Sequence, residues 1–193
     1  RQFFPRTILL SGVMSTGRHV AAARMLGADL AYLGTRFIAT RESMAPAGFK
    51  DMIVSTNAAD IVYTAAISGV HGNFLKPSID AAGANIDLTA STKQLELSHE
   101  KRAWKNVWSA GQGVGSIEDC PTTAELCARL IAEYREAMDE AATSFRRIEN
   151  FLERAEGVLG ERPESGMLCA EFIEAMDDDL GTPAAVAVLY DTV

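Results

Sequence analysis

Thr7-Ile-Leu-Leu-Ser-Gly12 and Ala28-Asp-Leu-Ala-Tyr-Leu-Gly34 decide the fold of this chain. Each is a short apolar run stopped by a glycine, the pattern of a buried strand. Between them, Val13-Met-Ser-Thr-Gly17 leads into Arg18 to Leu26, an alanine-rich stretch with Val20, Ala23 and Leu26 at helical spacing. Ser15 or Thr16 suits the N-cap, and Gly27 suits the position that ends the helix. Strand, helix and strand within roughly 30 residues is the length of a βαβ crossover, whose strands run parallel. Parallel strands are usually covered on both sides, so both runs are expected to be buried on both faces.

Outward from this unit the pattern changes. Ala45 to Val54 reads as a helix with Pro46 near its start, and Ile61 to Thr64 as a short strand or extended segment. Gly69 to Leu88 is rich in turn formers and holds Pro77-Ser-Ile-Asp, a short helix. Leu95 to Trp108 reads as helical, and Gly111-Gln-Gly-Val-Gly115 as the loop that ends it. Thr122 to Met138 is amphipathic, with Leu126, Leu130, Ile131 and Tyr134 on one side. From about Asp139 the rhythm is wholly helical. Phe145, Ile148, Phe151, Leu152 and Ala155 keep it up to a polar loop from Gly157 to Gly166. Leu168 to Met176 and Pro183 to Val193 read as two further helices. The boundary is placed near 138–142, giving parts 1–138 and 139–193, with the helix free to run across it.

Composition narrows the class. With 48% apolar and 23% charged residues, the 193-residue chain is an ordinary globular protein rather than a disordered tail. A net charge of -8 opposes nucleic acid as a partner of the whole chain, because its surface repels phosphate. Cys120, Cys127 and Cys169 are odd in number and lack C-x-x-C spacing. That predicts reduced thiols serving as small apolar residues in a cytoplasmic protein. No apolar run nears the roughly 18 residues of a membrane span, so no membrane partner is expected. Arg1 to Arg6 lack the features of a signal peptide, and the missing initiator Met suggests that the natural protein does not begin at Arg1.

The ends of parallel strands present free backbone N–H groups to ligands. Ser11-Gly12 and Gly34-Thr35 stop two adjacent strands at the same end. Glycine lets a phosphate approach the backbone, and Ser or Thr adds a hydroxyl donor. Glycines after strands are also plain turn punctuation, and the local pattern leaves both readings open.

The longer stretches carry a resemblance. They are Leu9-Leu-Ser-Gly-Val-Met-Ser-Thr-Gly17, Gly27 to Thr40 with its Gly-Thr-Arg-Phe-Ile-Ala-Thr ending, Tyr63-Thr64, Gly72-Asn-Phe-Leu-Lys-Pro-Ser78 and Trp104 to Gly115. In order, over about residues 6–135, they resemble the nitronate monooxygenase (2-nitropropane dioxygenase-like) family of FMN-dependent TIM-barrel enzymes. That family oxidises alkyl nitronates, and related members reduce quinones or enoyl thioesters. The resemblance implies an α/β fold, the C-terminal portion of an incomplete (β/α)8 barrel. It implies FMN as cofactor and an alkyl nitronate or related small molecule as substrate. Ser11 and Gly12 match the turn after the family's seventh strand, and Gly34 and Thr35 the turn after the eighth; both turns hold the FMN phosphate there. Gln112 matches a late loop on the flavin side. The family's catalytic histidine belongs to a turn upstream of Arg1, so no catalytic residue is assigned and the chain alone is expected to be inactive. His19, His71 and His99 read as solvated or locally hydrogen-bonded, with His71 in a loop that could reach the substrate side.

Ala141 to Arg154, and Phe172 to Asp191 with its Met-Asp-Asp-Asp-Leu-Gly-Thr-Pro core, resemble the helical domain of cysteinyl-tRNA synthetases. The resemblance implies an all-α segment after the α/β part, and no nucleic-acid partner is expected unless this tail contacts tRNA. The catalytic signatures and zinc-binding cysteines of those enzymes are absent, and Cys169 alone makes no zinc site. Asp177-Asp-Asp179 could ligate a cation. Acids before a helix also favour its positive N-terminus, with Thr182-Pro183 as cap and first-turn proline, and no metal site is assigned. The chain therefore reads as two unrelated fragments joined near residue 140.

Overall fold

The computed structural model describes residues 4–83, 87–90, 106–160, 169–177 and 182–192. Packing divides the chain into two compact units, Arg1–Ala137 and Met138–Val193. The first is mixed α/β. It opens with β1 (Leu9–Ser11), α1 (Gly17–Met25) and β2 (Leu30–Tyr32), and the strands pair in parallel with Leu9 opposite Leu30 and Ser11 opposite Tyr32. Thr16 is the N-cap of α1. Gly27 follows its end at φ 94°, a left-handed conformation in which a Cβ would be strained. There its N–H reaches the Arg24 carbonyl at 3.0 Å.

The expectation of burial on both faces fails. Leu9, Leu30 and Tyr32 share one face of the pair and are 52%, 54% and 60% exposed. The cause is the size of the sheet: it has two strands, and α1 packs against β2 without closing over that face. Short apolar runs record what a strand would bury, not what is available to cover it.

Next come α2 (Thr35–Ile38), α3 (Ala47–Ser55, with Pro46 before it) and an antiparallel hairpin of β3 (Ile61–Thr64) and β4 (Gly72–Leu75), with Ile61 opposite Leu75. The turn-rich reading of Gly69 to Leu88 missed β4. Its pairing depends on β3 and on a bridge from Phe74 to Ser109, neither of which is local to the strand. α4 (Lys76–Ala81) holds the expected Pro77-Ser-Ile-Asp turn. The Leu95–Trp108 helix falls mostly outside the described residues, but its end is corrected. Val107 and Trp108 lie outside any helix, and the Trp108 carbonyl accepts from Leu75 N–H at 2.9 Å while Ser78 Oγ takes the Trp108 N–H at 2.9 Å.

Gly111 to Gly115, expected as a loop, contributes to a 3-10 turn over Gln112–Ser116, closed by Ile117 N–H to the Val114 carbonyl. The turn is held because Val114 and Ile117 enter the main core with Ala39, Ile53, Leu75 and Ala110. Phe49 stacks on Trp108 at the edge of that core, ring centroids 5.0 Å apart. Ile67, Phe74, Ile79 and Val107 form a smaller cluster.

α5 runs Thr123–Leu159, straight across the 138–142 boundary as the sequence allowed. α6 (Ala170–Asp177) and α7 (Thr182–Thr192) follow and pack on each other. Cys127 and Cys169 are exposed thiols, not the apolar filling expected of them. Among the described residues, no helix is long and apolar enough to cross a membrane.

Candidate functional site

The two glycine-ended turns meet in space. Ser11, Gly12, Gly34 and Thr35 line one cavity of ≈ 160 Å³ with Val13, Met14, Ser15, Tyr32, Gly111 and Gly113. It lies at the carboxyl ends of β1 and β2, because both strands stop in register there. Gln112 is not brought to it; it is exposed at the start of the 3-10 turn while its neighbours Gly111 and Gly113 face the cavity.

The turn after β1 has an uncommon backbone. Gly12 has φ 103° and Val13 φ 58°. The first is easy for glycine. The second strains a β-branched residue by about 1–3 kcal/mol, a cost met most often at ligand sites. The segment is held from its far end. Ser15 is buried and donates through Oγ to the Gly113 carbonyl at 2.6 Å. Gly113 must be glycine, since a Cβ would strike the Val13 carbonyl and come within 2.8 Å of Ser15 Oγ. Across the cavity, Gly111 N–H donates to Thr35 Oγ1 at 2.8 Å, which joins the β2 turn to the same 3-10 segment. These tertiary partners were invisible in the sequence, where Ser15 was legible only as a cap and Gly113 only as loop.

The donors left over define the chemistry. The parallel pairing of Ser11 with Tyr32 directs Gly12 N–H to the Tyr32 carbonyl. Among the described residues, no acceptor takes the backbone N–H of Val13, Met14, Gly34 or Thr35, nor the hydroxyl protons of Ser11 and Thr35. No carboxylate and no cationic side chain lines the cavity. The arrangement can accept an anion through neutral donors alone, as glycine-rich turns do for phosphate. Its volume is below the roughly 300–1,000 Å³ of a site for a whole drug-sized ligand, so it suits one group of a larger molecule.

The first turn of α1 is not part of that donor set, because its own N–H groups are engaged. Ser15 N–H and Thr16 N–H donate to His19 Nδ1 at 3.0 and 3.3 Å, and His19 N–H donates to Thr16 Oγ1 at 3.3 Å. Gly17 N–H donates to Glu133 Oε2 at 2.6 Å, on α5. A Cβ at Gly17 would collide with the Leu130 carbonyl, so α1 and α5 touch backbone to backbone.

A second cavity of ≈ 360 Å³ adjoins Ser15 and Thr16, and Arg36, Asp119 and Arg129 line it. Arg36, 2% exposed, donates to Asp119 Oδ1 at 2.7 Å and to its carbonyl at 3.0 Å. Arg129 grips the same carboxylate at 2.6 and 3.1 Å. The Arg129 hydrogen bond, with the charges of both guanidiniums, holds the Asp119 carboxyl below its ordinary value. Both guanidiniums are hydrogen-bonded to the one carboxylate, so the network braces the fold.

The described histidines take local roles. His19 is the cap partner just given, and His71 lies 5.1 Å from Tyr63, ring to ring, away from the cavity lining. His99 lies outside the described residues. Asp177 ends α6, and Asp178 and Asp179 also lie outside the described residues.

The comparisons with known proteins follow the two units. The family model "Nitronate monooxygenase" matches residues 7–133, and a "DALR domain" model matches residues 171–193. A nitroalkane oxidase from Streptomyces ansochromogenes is 26% identical, with TM-score 0.58, over 73% of this chain and 43% of its own. FabK from Thermotoga maritima shares the fold at 21% identity and TM-score 0.58, over 74% of this chain and 48% of its own. Among sequences, a cysteine–tRNA ligase of Nocardioides sp. is 38% identical over 154 residues, 65% of this chain and 32% of its own length. That match cannot be confined to residues 141–193, so the likeness to the ligase reaches further forward than the tail and shares ground with the first family. The chain spans about a third of the length of such curated relatives. The C-terminal helices resemble part of a cysteinyl-tRNA synthetase, and the chain, matched over most of its length from residue 7 to residue 133, belongs to the nitronate monooxygenase family.

Proposed function

We propose that residues 1–138 are the phosphate-gripping, C-terminal portion of a flavin-dependent (β/α)8 oxidoreductase, with FMN as cofactor and an alkyl nitronate or related small molecule as substrate. The observation that supports this is that Val13, Met14, Gly34 and Thr35, whose N–H groups have no acceptor among the described residues, line one cavity with the Ser11 and Thr35 hydroxyls. FMN, when bound, supplies electron acceptance from a carbanion-like substrate and transfer of those electrons to oxygen. This chain's part is to hold the phosphate. Gly12 and Gly34 leave open space where a Cβ would stand, so a phosphate oxygen can come up to the backbone. Gln112, exposed beside the cavity, is proposed as a cofactor contact on the resemblance alone.

No histidine among the described residues lines the cavity, so this reading assigns no catalytic base and expects no nitronate oxidation by residues 1–193 alone. The test is a titration of the full chain with FMN and with riboflavin. FMN quenching on binding, weakened at least tenfold by Gly34→Val and absent for riboflavin, supports a phosphate grip. Equal binding of FMN and riboflavin refutes it.

The second reading treats residues 139–193 as a helical segment derived from a cysteinyl-tRNA synthetase, with an RNA-binding or structural role. The domain match at residues 171–193 and the ligase relatives favour it. Specific retention of tRNA(Cys) over other tRNAs by the full chain supports it, and equal retention refutes it. Cytoplasmic location belongs to both readings.

A further inference from the structure

We propose that His19 is the positioning residue of the anion-binding turn, acting through an unprotonated Nδ1, so that phosphate binding at Gly12–Met14 weakens when the ring takes up a proton. The inference rests on the reading of that cavity as a phosphate site and adds its control. A capping box ordinarily places Glu or Gln three residues after the cap, where a side-chain oxygen accepts the N–H of the cap residue. Here the third residue is histidine. Its Nδ1 accepts from Thr16 N–H at 3.3 Å and also from Ser15 N–H at 3.0 Å. Backbone N–H groups can only donate, so the ring nitrogen facing them must carry a lone pair.

Ser15 is the residue on which the turn is hung. Its side chain is fixed to the Gly113 carbonyl at 2.6 Å and its backbone N–H to His19, and Val13 and Met14 precede it in the cavity wall. A proton on Nδ1 would set a third N–H against two others. Both bonds would be lost together, and the strained Val13 backbone at φ 58° would lose its tether.

The charged groups around this end of α1 have other engagements. On α1 itself Arg18 pairs with Glu136 at 3.2 Å, and Glu133 takes Gly17 N–H at 2.6 Å, both acids belonging to α5. Arg36, Glu118, Asp119 and Arg129 line the second cavity with Ser15 and Thr16, and three of these four are tied in the Arg36–Asp119–Arg129 network. At the other end of α1, Arg24 is bonded to the Ala28 and Asp29 carbonyls at 3.3 and 3.2 Å. None of these contacts replaces Nδ1 as acceptor for Ser15 and Thr16.

Two measurements on the full chain separate this device from the cofactor reading. Amide hydrogen exchange, corrected for intrinsic rates, follows Ser15 and Thr16 in the wild type, His19→Ala and His19→Gln. FMN titration follows binding in the same three proteins, at one acidic and one mildly alkaline pH. The expected result is protected amides and tight FMN in the wild type at the higher pH, and loss of both at the lower. His19→Ala should lose both at either pH, with FMN weakened about tenfold, as the loss of one to two net hydrogen bonds implies. His19→Gln, which keeps an acceptor that does not titrate there, should retain both at either pH. Amides equally protected in His19→Ala, or the same pH profile in wild type and His19→Gln, overturns the proposal. Normal exchange behaviour with no FMN binding at any pH overturns the cofactor reading and His19's role in binding together.

Discussion

Removing Asp119 should destabilise the first unit more than removing its buried partner Arg36. Arg36 is 2% exposed and is bonded to Asp119 Oδ1 at 2.7 Å and to the Asp119 carbonyl at 3.0 Å, while Arg129 takes Asp119 Oδ2 at 2.6 Å. In Asp119→Ala the guanidinium stays buried with only a carbonyl against its charge. Stripping one partner from a fully buried pair costs about 3–5 kcal/mol. The Asp119 side chain is 41% exposed and the carbonyl bond survives, which brings the expected loss to about 2–3 kcal/mol. Arg36→Met removes the charge along with the bond, fills similar volume and leaves Asp119 with Arg129, so it should lie within about 1 kcal/mol of wild type. Urea unfolding followed by tryptophan fluorescence reports on this unit through Trp108, which stacks on Phe49 at the edge of its core. The difference also has a pH signature. Asp119 is held below its reference value of 3.8, chiefly by the Arg129 hydrogen bond. A carboxylate with a depressed folded pKa stabilises fully above its unfolded pKa and loses that contribution as pH falls through the folded one. The gap between wild type and Asp119→Ala should therefore be full at neutral pH and close only in acid below 3.8. An Arg36→Met protein less stable than Asp119→Ala, or a gap that narrows above pH 5, refutes the reasoning.

Three further outcomes are expected. Gly113→Ala drives a methyl into the Val13 carbonyl and Ser15 Oγ, so the denaturation midpoint should drop by the equivalent of about 2–4 kcal/mol and FMN binding should fail with it; wild-type stability would contradict the close approach. Thr35→Val leaves Gly111 N–H without its 2.8 Å acceptor and should cost about 1–3 kcal/mol in the same assay, whereas Thr35→Ser should stay near wild type. Leu75→Ala, at a fully buried position, should cost about 2–5 kcal/mol, against a change within about 0.5 kcal/mol for Leu26→Ala at the exposed end of α1; equal effects would place the core elsewhere.

The βαβ unit was legible because every signal that forms it is local. Apolar runs stop at Gly12 and Gly34, an alanine-rich stretch lies between them, Thr16 precedes that stretch and Gly27 follows it. β4 was not legible, since Gly72-Asn-Phe-Leu shows no alternation and becomes a strand through β3 on one side and Ser109 on the other. The same division runs through the cavity. Ser11, Gly12, Gly34 and Thr35 announce themselves as strand-ending glycines with hydroxyl neighbours. Gly113 is needed for a steric reason that arises only when residues about 100 positions apart are packed together, and Gly111 matters through its N–H to Thr35. The sequence reads His19 as solvated or locally hydrogen-bonded, and its local bonds agree with that; its capping role was not legible because the capping-box signature is written for Glu and Gln, and a histidine accepting through Nδ1 satisfies the same donors without matching the pattern.

Size links the cavity to the open face beside it. At ≈ 160 Å³ the cavity holds a group, not a cofactor, and Leu9, Leu30 and Tyr32 stand exposed on the strands that lead into it. A grip made of neutral N–H and hydroxyl donors requires only that two turns stay in register, which the β1–β2 pairing, the Ser15–Gly113 bond and the Gly111–Thr35 bond secure within residues 1–137. Redox chemistry requires more: a walled pocket for the ring and a base placed against the substrate. The first requirement is local and the second is not. On the proposed reading, anchoring and turnover are therefore separable, and FMN binding without oxidase activity is the outcome that reading expects.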